Sequence, residues 1–140
     1  MASSGLSEQI KQHYIIPAEL GSIKGAELYQ STISDQTPFD TVLLGMGEDG
    51  HPASLFPDLQ WQDVEADQLT QAVHGAPKSP PERISMTAGA LQQCHQMLVL
   101  ITGESKRDAV KLWKQGGGLP IVEVSDIDQA SIYIEADLMK

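Results

Sequence analysis

Three short apolar runs mark the strands that the pattern of hydrophobic and polar positions predicts. Residues 39–44 and 97–102 are almost continuously apolar, which is typical of parallel strands buried on both faces. Residues 130–135 alternate between apolar and polar side chains and predict a third strand, at an edge of the sheet. A weaker run at residues 69–74 predicts a fourth strand.

Helical periodicity occupies the segments between these runs. Residues 87–95 begin with a threonine typical of a helix N-cap, and residues 103–115 end at three consecutive glycines. Residues 22–33 carry small and apolar side chains at helical spacing, which predicts that the following residues face the core: Ile23, Ala26, Tyr29 and Ile33.

Strands that alternate with helices predict an α/β fold. We expect an open, mostly parallel sheet with flanking helices, Rossmann-like, in a single domain over residues 1–140. The proline-rich residues 76–81 predict an extended connection, because proline donates no backbone hydrogen bond.

The charge balance limits the partners that this chain can bind. There are 19 acidic and 9 basic residues, which gives a formal net charge of −10. This argues against nucleic-acid and anionic-membrane partners, because both need a basic surface. No basic residue lies between Lys24 and Lys78, whereas six of the nine lie from Lys78 to Lys114. An anion bound by this chain must be held by a few of those six.

Other composition features favour a cytoplasmic protein without a metal site. Cys94 is the only cysteine, which excludes an intrachain disulfide and a multi-thiolate metal site. The 4 histidines lack the spacing of a zinc motif. No apolar run reaches the length of a membrane span, and the first residues do not resemble a secretory signal.

Candidate chemistry is concentrated directly after the first predicted strand. Glycines at positions 45, 47 and 50 surround Asp49 and His51. In an open α/β sheet, ligands bind beyond the carboxyl ends of the strands. Glycines there remove side chains, permit positive φ angles and let backbone amides approach a ligand. His51 is then a candidate general base, next to a short helical turn that ends at Pro57.

Two other interpretations of this segment are open on the residues alone. The glycine spacing also fits a dinucleotide-binding fingerprint, but Pro52 and Pro57 leave no room for the long helix that must follow. A tight loop with a surface histidine is the simpler alternative, in which Asp49 only caps the turn after Gly50.

The whole segment resembles the signature of the 6-phosphogluconolactonase family, G-x-G-x-D-G-H-x-A-S-L-F-P. It reads Gly45-Met-Gly-Glu-Asp-Gly-His-Pro-Ala-Ser-Leu-Phe-Pro57 here, and residues 76–85 and 98–106 resemble the same family in order and spacing. The sister group, glucosamine-6-phosphate isomerase/deaminase, continues after the histidine as H-I-A-F-N-E-P. The residues Ser54-Leu-Phe56 therefore favour the lactonase branch.

The resemblance implies hydrolysis of 6-phospho-D-glucono-1,5-lactone to 6-phosphogluconate in the oxidative pentose phosphate pathway, without a metal or organic cofactor. It assigns the general base to His51 and the acid beside it to Asp49. It places Arg83 and Lys106 in the substrate cleft, where Gly45, Gly47 and Gly50 would approach the substrate. On the residues alone, Arg83 could instead form an ion pair with Glu82.

Helical geometry separates the remaining basic residues without reference to the family. Lys106 shares the core-facing side of its predicted helix and lies at the carboxyl end of the sheet, where an anion is favoured. Arg107, Lys111 and Lys114 form a second row, which we interpret as a solvated face.

The sequence departs from the family pattern in two ways. Pro52 replaces the usual threonine, which is tolerable at the first position of a helix. The G-G-S-T and G-D-E-R segments of full-length relatives are missing, so the chain resembles a C-terminal portion of the lactonase domain.

Because strands that would pair in the parallel sheet are missing from such a portion, we expect an exposed sheet edge and dimerisation through it. The alternatives are an isomerase/deaminase relative and a non-catalytic sugar-phosphate-binding fragment.

Overall fold

The computed structural model describes residues 11–140. Its strands are β1 (Phe39–Gly45), β2 (Thr70–Val73), β3 (Arg83–Met86), β4 (Cys94–Ile101) and β5 (Ala130–Ile134). Its α-helices are α1 (Ser22–Ile33), α2 (Ala88–Gln92), α3 (Arg107–Lys114) and α4 (Pro120–Ser125). Short 3-10 helices span Ala18–Leu20, Ser34–Gln36, Glu104–Lys106 and Ala136–Met139.

The strands form two separate sheets. The first is parallel, in the order β1-β4-β5, with Leu44 opposite Val99 and Val99 opposite Ile132. The second is an antiparallel pair of β2 and β3. The prediction of an α/β fold with an open, mostly parallel sheet and flanking helices is confirmed, and β5 lies at an edge as expected.

The parallel sheet buries only one of its two faces, which corrects the expectation that β1 and β4 are buried on both. Side chains of the buried face pack against α3 and α4 in one core cluster, which includes Val42, Leu44, Met97, Val99, Ile101, Val110, Ile121 and Val124. On the opposite face Leu43 is 64% exposed, Leu100 46% and Tyr133 58%. No helix of the described residues covers these three side chains.

Helix α1 covers the β2–β3 pair rather than the parallel sheet. Thr70 donates from Oγ1 to the carbonyl of Ala26 over 2.7 Å, and Oε1 of Gln30 accepts from the backbone N–H of Leu69 over 2.7 Å. Ala26 and Ile33 of the predicted stripe are buried, but Ile23 is exposed. The face of α1 that is buried is therefore narrower than the spacing of its apolar residues predicted.

The helix predicted over residues 87–95 is shorter. Thr87 caps it as expected by accepting from the N–H of Ala90, but the helix ends at Gln92 and Cys94 begins β4. The helix predicted over residues 103–115 begins with a 3-10 turn at Glu104 and becomes an α-helix at Arg107.

The strand β3 and the helix α4 were not predicted. Since β3 pairs with β2, the proline-rich stretch becomes a closed hairpin loop, in which the N–H of Ala76 donates to the carbonyl of Pro81 over 2.9 Å. Pro120 opens α4, where its missing N–H costs no helical hydrogen bond. Among residues 11–140, no helix combines the length and apolar character that crossing a membrane requires.

Candidate functional site

An open cleft of about 410 Å³ lies at the carboxyl ends of β1 and β4. The loop after β1 forms one side of it, and Lys106, shortly after β4, lies on another. This is the position that parallel-sheet topology predicts for a ligand. Its lining residues are Gly45, Met46, Gly47, Glu48, His51, Ala53, Lys78 and Lys106.

His51 and Asp49 form a close pair in this loop. Nδ1 of His51 lies 2.5 Å from Oδ1 of Asp49, and the backbone N–H of His51 donates to the same oxygen over 3.3 Å. The His51 side chain is 18% exposed and lines the cleft. The carboxylate of Asp49 thus contacts the His51 ring and also caps the turn. The sequence analysis gave these two contacts as alternatives, and the structure contains both.

Electrostatics favour an ionised Asp49 beside the His51 ring. Burial raises the pKa of Asp49, but hydrogen bonds from the ring and backbone of His51 outweigh it and hold the pKa below its usual range. An ionised carboxylate can only accept a hydrogen bond, so Nδ1–H of His51 is the donor to Asp49. Nε2 of His51 is then the ring nitrogen that is not bonded to Asp49, and the ring lines the cleft.

The absence of a side chain at Gly47 leaves the space that the His51 ring occupies. A Cβ at Gly47 would overlap that ring and lie 2.9 Å from Oδ1 of Asp49. Gly45 faces open space at the cleft. Any side chain at Gly47 would therefore push His51 away from Asp49.

Gly50 anchors the loop to α4. Its φ of +86° is in the left-handed region, and a Cβ there would lie 2.8 Å from Cδ2 of Leu119. The N–H of Ile121 donates to its carbonyl over 3.0 Å. Of the three glycines in the signature, only Gly50 has the positive φ that we expected of them.

The loop amides are less available to a ligand than the glycine pattern suggested. The N–H of Gly47 donates to the carbonyl of His51 over 2.8 Å, and the N–H of Gly50 donates to the carbonyl of Gly47 over 3.1 Å. Both amides are therefore already used to close the loop on itself.

The residues after His51 form non-helical turns. The prediction of a short helical turn that ends at Pro57 is therefore wrong. Pro52 is fully buried, and its carbonyl accepts from the N–H of Leu55 over 3.0 Å, but no helix begins there. Ala53 has a φ of +48°, which is rare for a residue with a side chain and is concentrated at functional sites. The proline thus precedes a strained residue that lines the cleft.

Phe56 connects His51 to Arg83 from behind the cleft. The buried Phe56 ring lies 4.3 Å from the His51 ring, centroid to centroid. Cζ of Arg83 lies 5.3 Å from the centroid of the same ring, close enough for a cation–π interaction. These contacts limit the orientations that His51 can adopt.

The resemblance predicts Arg83 in the substrate cleft; in the structure its side chain contacts the hairpin loop and is not among the residues that line the described cleft. Its guanidinium donates to the carbonyl of Lys78 over 2.8 Å and to the carbonyl of Pro80 over 3.0 Å. The alternative ion pair between Arg83 and Glu82 is not formed, and Glu82 contacts His74 and Ser22 instead. Arg83 holds the hairpin loop in place.

Lys78 is a cleft residue that the sequence analysis missed. Its ammonium lies 2.6 Å from Oε1 of Glu48, another lining residue. The uneven distribution of basic residues placed Lys78 among six candidates, but nothing local separated it from the others. Lys106, which was predicted, is half-buried and lines the same cleft.

The row of basic residues on α3 lies away from the cleft. Arg107 donates to the carbonyl of Asp137 over 2.9 Å, and Lys114 donates to the carbonyl of Met139 over 2.8 Å. The row is therefore not simply solvated, because the C-terminal segment packs along it. Lys111 is exposed.

Within residues 11–140, no group of three or more histidine, cysteine or acidic side chains could hold a metal ion.

A family model described as glucosamine-6-phosphate isomerases/6-phosphogluconolactonase matches residues 1–132. The chain belongs to this family. It is 40% identical over 90 residues to a probable 6-phosphogluconolactonase 1 of Arabidopsis thaliana, a match that covers 64% of this chain and 33% of that protein. It is 42% identical over 80 residues to a 6-phosphogluconolactonase of Streptomyces coelicolor, covering 57% of this chain and 30% of that protein.

Solved structures of this glucosamine-6-phosphate isomerase/6-phosphogluconolactonase family share the fold. The 6-phosphogluconolactonase of Thermotoga maritima aligns with a TM-score of 0.66 and 29% identity over 79% of this chain and 50% of its own. A monomeric glucosamine-6-phosphate deaminase aligns with a TM-score of 0.65 at 19% identity, over 83% of this chain and 53% of its own, a likeness of fold alone. The chain thus spans about a third of these curated relatives and about half of these solved chains.

Proposed function

We propose that this chain carries the general-base part of a site that hydrolyses 6-phospho-D-glucono-1,5-lactone to 6-phosphogluconate, in the oxidative pentose phosphate pathway. The observation that carries the proposal is the Asp49–His51 pair, joined over 2.5 Å at the edge of a cleft that also contains Lys106. Residues 1–140 would form one unit, the C-terminal portion, of a larger lactonase-type domain. The proposed compartment is the reducing cytoplasm, in accord with the free, buried Cys94.

The geometry supports a water-activation mechanism. Nε2 of His51 takes a proton from water as the water oxygen attacks the lactone carbonyl carbon. Asp49 stabilises the imidazolium that results and keeps the ring oriented. The tetrahedral intermediate then collapses, the bond from the carbonyl carbon to the ring oxygen breaks, and the imidazolium returns its proton to that oxygen. Lys106 would bind the phosphate of the substrate.

Two alternatives are separated by simple assays. The isomerase/deaminase alternative requires turnover of glucosamine-6-phosphate, and the lactonase names of the relatives in Arabidopsis and Streptomyces favour the lactonase instead. A non-catalytic sugar-phosphate-binding fragment would bind 6-phosphogluconate but give no turnover, even when the rest of the domain is supplied.

Binding of 6-phosphogluconate tests the proposed site. We expect Lys106→Ala to weaken binding roughly tenfold or more, because a charge-assisted contact to the phosphate dianion is lost. Lys111→Ala is the matched control, since Lys111 is an exposed lysine on the neighbouring helix and lies outside the cleft. It should bind as the unmodified chain does in isothermal titration calorimetry.

The binding experiment has two informative negative results. Equal affinities of the Lys106 and Lys111 variants would remove Lys106 from the site. Binding of glucosamine-6-phosphate in clear preference to 6-phosphogluconate would favour the isomerase/deaminase alternative.

We further propose that two copies of the chain associate through the free edge of β1. Among the described strands β1 pairs with β4 alone, so its other edge carries unpaired backbone groups, and the exposed Leu43 lies on the adjoining open face. An unpaired edge next to an apolar face is a template for a second strand.

Light scattering should give twice the chain mass of 15.2 kDa. Leu43→Lys should shift this mass to the monomer, because two lysines would meet at the interface. Leu28→Lys, which changes an exposed leucine on α1, should leave the dimer intact. A monomeric wild-type chain at micromolar concentration would contradict the proposal.

A further inference from the structure

Two side chains that no part of the proposed mechanism uses meet in the mouth of the cleft. The ammonium of Lys78 lies 2.6 Å from the carboxylate of Glu48, and both residues line the cleft beside His51 and Lys106. Each of the two side chains is about half exposed. An exposed ion pair of this kind contributes little to stability, so folding alone gives no reason for its position.

The hairpin loop between β2 and β3 holds Lys78 at this place. The backbone carbonyl of Lys78 accepts from the guanidinium of Arg83 over 2.8 Å, and that of Pro80 accepts from the same group over 3.0 Å. The N–H of Ala76 closes the loop by donating to the carbonyl of Pro81 over 2.9 Å. The backbone that presents Lys78 is therefore fixed on both sides of the residue, while the ammonium remains accessible.

Glu48 occupies a position where negative charge is favoured. Its hydrogen bond to Lys78 and the positive charges of Lys78 and Lys106 hold the pKa of Glu48 below its usual range. The carboxylate is thus ionised near neutral pH and lies within the field of both cleft lysines. An anionic ligand that enters the cleft competes with this carboxylate for the ammonium of Lys78 and for the favourable charge of Lys106.

We propose that Lys78 is a second anion-binding residue of the cleft and that Glu48 is a built-in competitor, which the phosphate of the substrate displaces. The inference rests on the proposed function, because it assumes a phosphorylated substrate. A phosphate dianion carries more charge and more acceptor oxygens than one carboxylate, so it replaces Glu48 on Lys78 while Lys106 holds its other side. Arg83 supports this step from behind, through the loop.

The test is titration of the 140-residue chain with 6-phosphogluconate, and with gluconate as the phosphate-free probe. Lys78→Ala should weaken binding of 6-phosphogluconate about tenfold and leave binding of gluconate unchanged. Lys78→Arg should retain most of the affinity, because the charge is kept. Glu48→Gln should tighten binding of 6-phosphogluconate about two- to fivefold, since the competing charge is gone. Lys111→Ala serves again as the control.

Each other outcome overturns a defined part of the inference. If wild type binds and Lys78→Ala matches Lys111→Ala, Lys78 is not a ligand, while the proposed function stands. If Glu48→Gln weakens binding, Glu48 is a ligand rather than a competitor. If neither the wild-type chain nor the chain supplied with the rest of the domain binds 6-phosphogluconate, both the inference and the proposed function fail. Unchanged melting temperatures of the variants would assign the effects to binding rather than to folding.

Discussion

The purified 140-residue chain should hydrolyse 6-phosphogluconolactone only marginally faster than the lactone opens in water. The proposed general base, His51, is present, but a base alone contributes roughly 10²–10⁴-fold, whereas positioning and preorganised electrostatics supply much of the remainder. The chain spans about half of the Thermotoga relative, and the G-G-S-T and G-D-E-R segments expected of full-length relatives do not occur in it. We expect kcat/KM at least about 10³-fold below that of the Thermotoga enzyme.

The structure gives two further reasons to expect low activity. The amides of Gly47 and Gly50 close the loop, so they do not stabilise an oxyanion. The cleft is also open and belongs to a protein with a net charge of −10, which weakens its hold on a dianion.

The assay follows acid release and subtracts spontaneous hydrolysis. Adding the half of the Thermotoga enzyme that this chain does not cover, in trans or as a fusion, should raise the rate. Robust catalysis by the 140-residue chain alone, lost on His51→Ala, would contradict the prediction and show that this half of the site suffices.

Replacing His51 with alanine in the chain completed in this way should lower kcat by roughly 10²–10⁴-fold, the range for loss of a general base. The melting temperature should change little, because His51 lies on a loop, where its ring contacts Asp49 and the Phe56 ring. Lactone turnover at saturating substrate and thermal unfolding of the same samples would measure both effects.

His74 offers a matched control for this variant. Its Nδ1 lies 2.6 Å from a carboxylate oxygen of Glu82, so it forms the same kind of pair outside the cleft. His74→Ala should therefore leave kcat unchanged. Near-normal turnover by His51→Ala would remove His51 from the mechanism, and equal losses in both variants would indicate a general effect of histidine–carboxylate pairs on folding.

Local sequence predicted that Asp49 and His51 lie together at the candidate site, because the two residues are close along the chain. Asp49 and His51 are two residues apart, so a glycine-rich turn brings them together without help from distant elements. The carboxyl ends of β1 and β4 were located from their apolar runs, and parallel pairing then places Lys106 near His51. The family resemblance depends on the same contiguous segment, and the match over residues 1–132 confirms it.

Residues whose position depends on long-range pairing were beyond the reach of local patterns. Because β2 and β3 pair, the proline-rich stretch between them forms a loop. This loop places Lys78 in the cleft lining, whereas the guanidinium of Arg83 is bound to the backbone of the loop. The short β3 has no periodicity of its own that predicts this pairing. A basic residue type alone does not show whether its charge faces a ligand or a backbone carbonyl.

What the sequence by itself determined is the three strands of the parallel sheet, the helix that follows β4, and the residues that surround Asp49 and His51 in the loop after β1. All of these follow from residue type and short-range spacing. The tertiary structure decided which side chains share the cleft and which sheet face is covered. The apolar run of β1 reads the same whether one face or both are packed, yet Leu44 is buried and Leu43 is exposed. Burial is a property of what packs against a strand, and α3 and α4 reach only the face that contains Leu44.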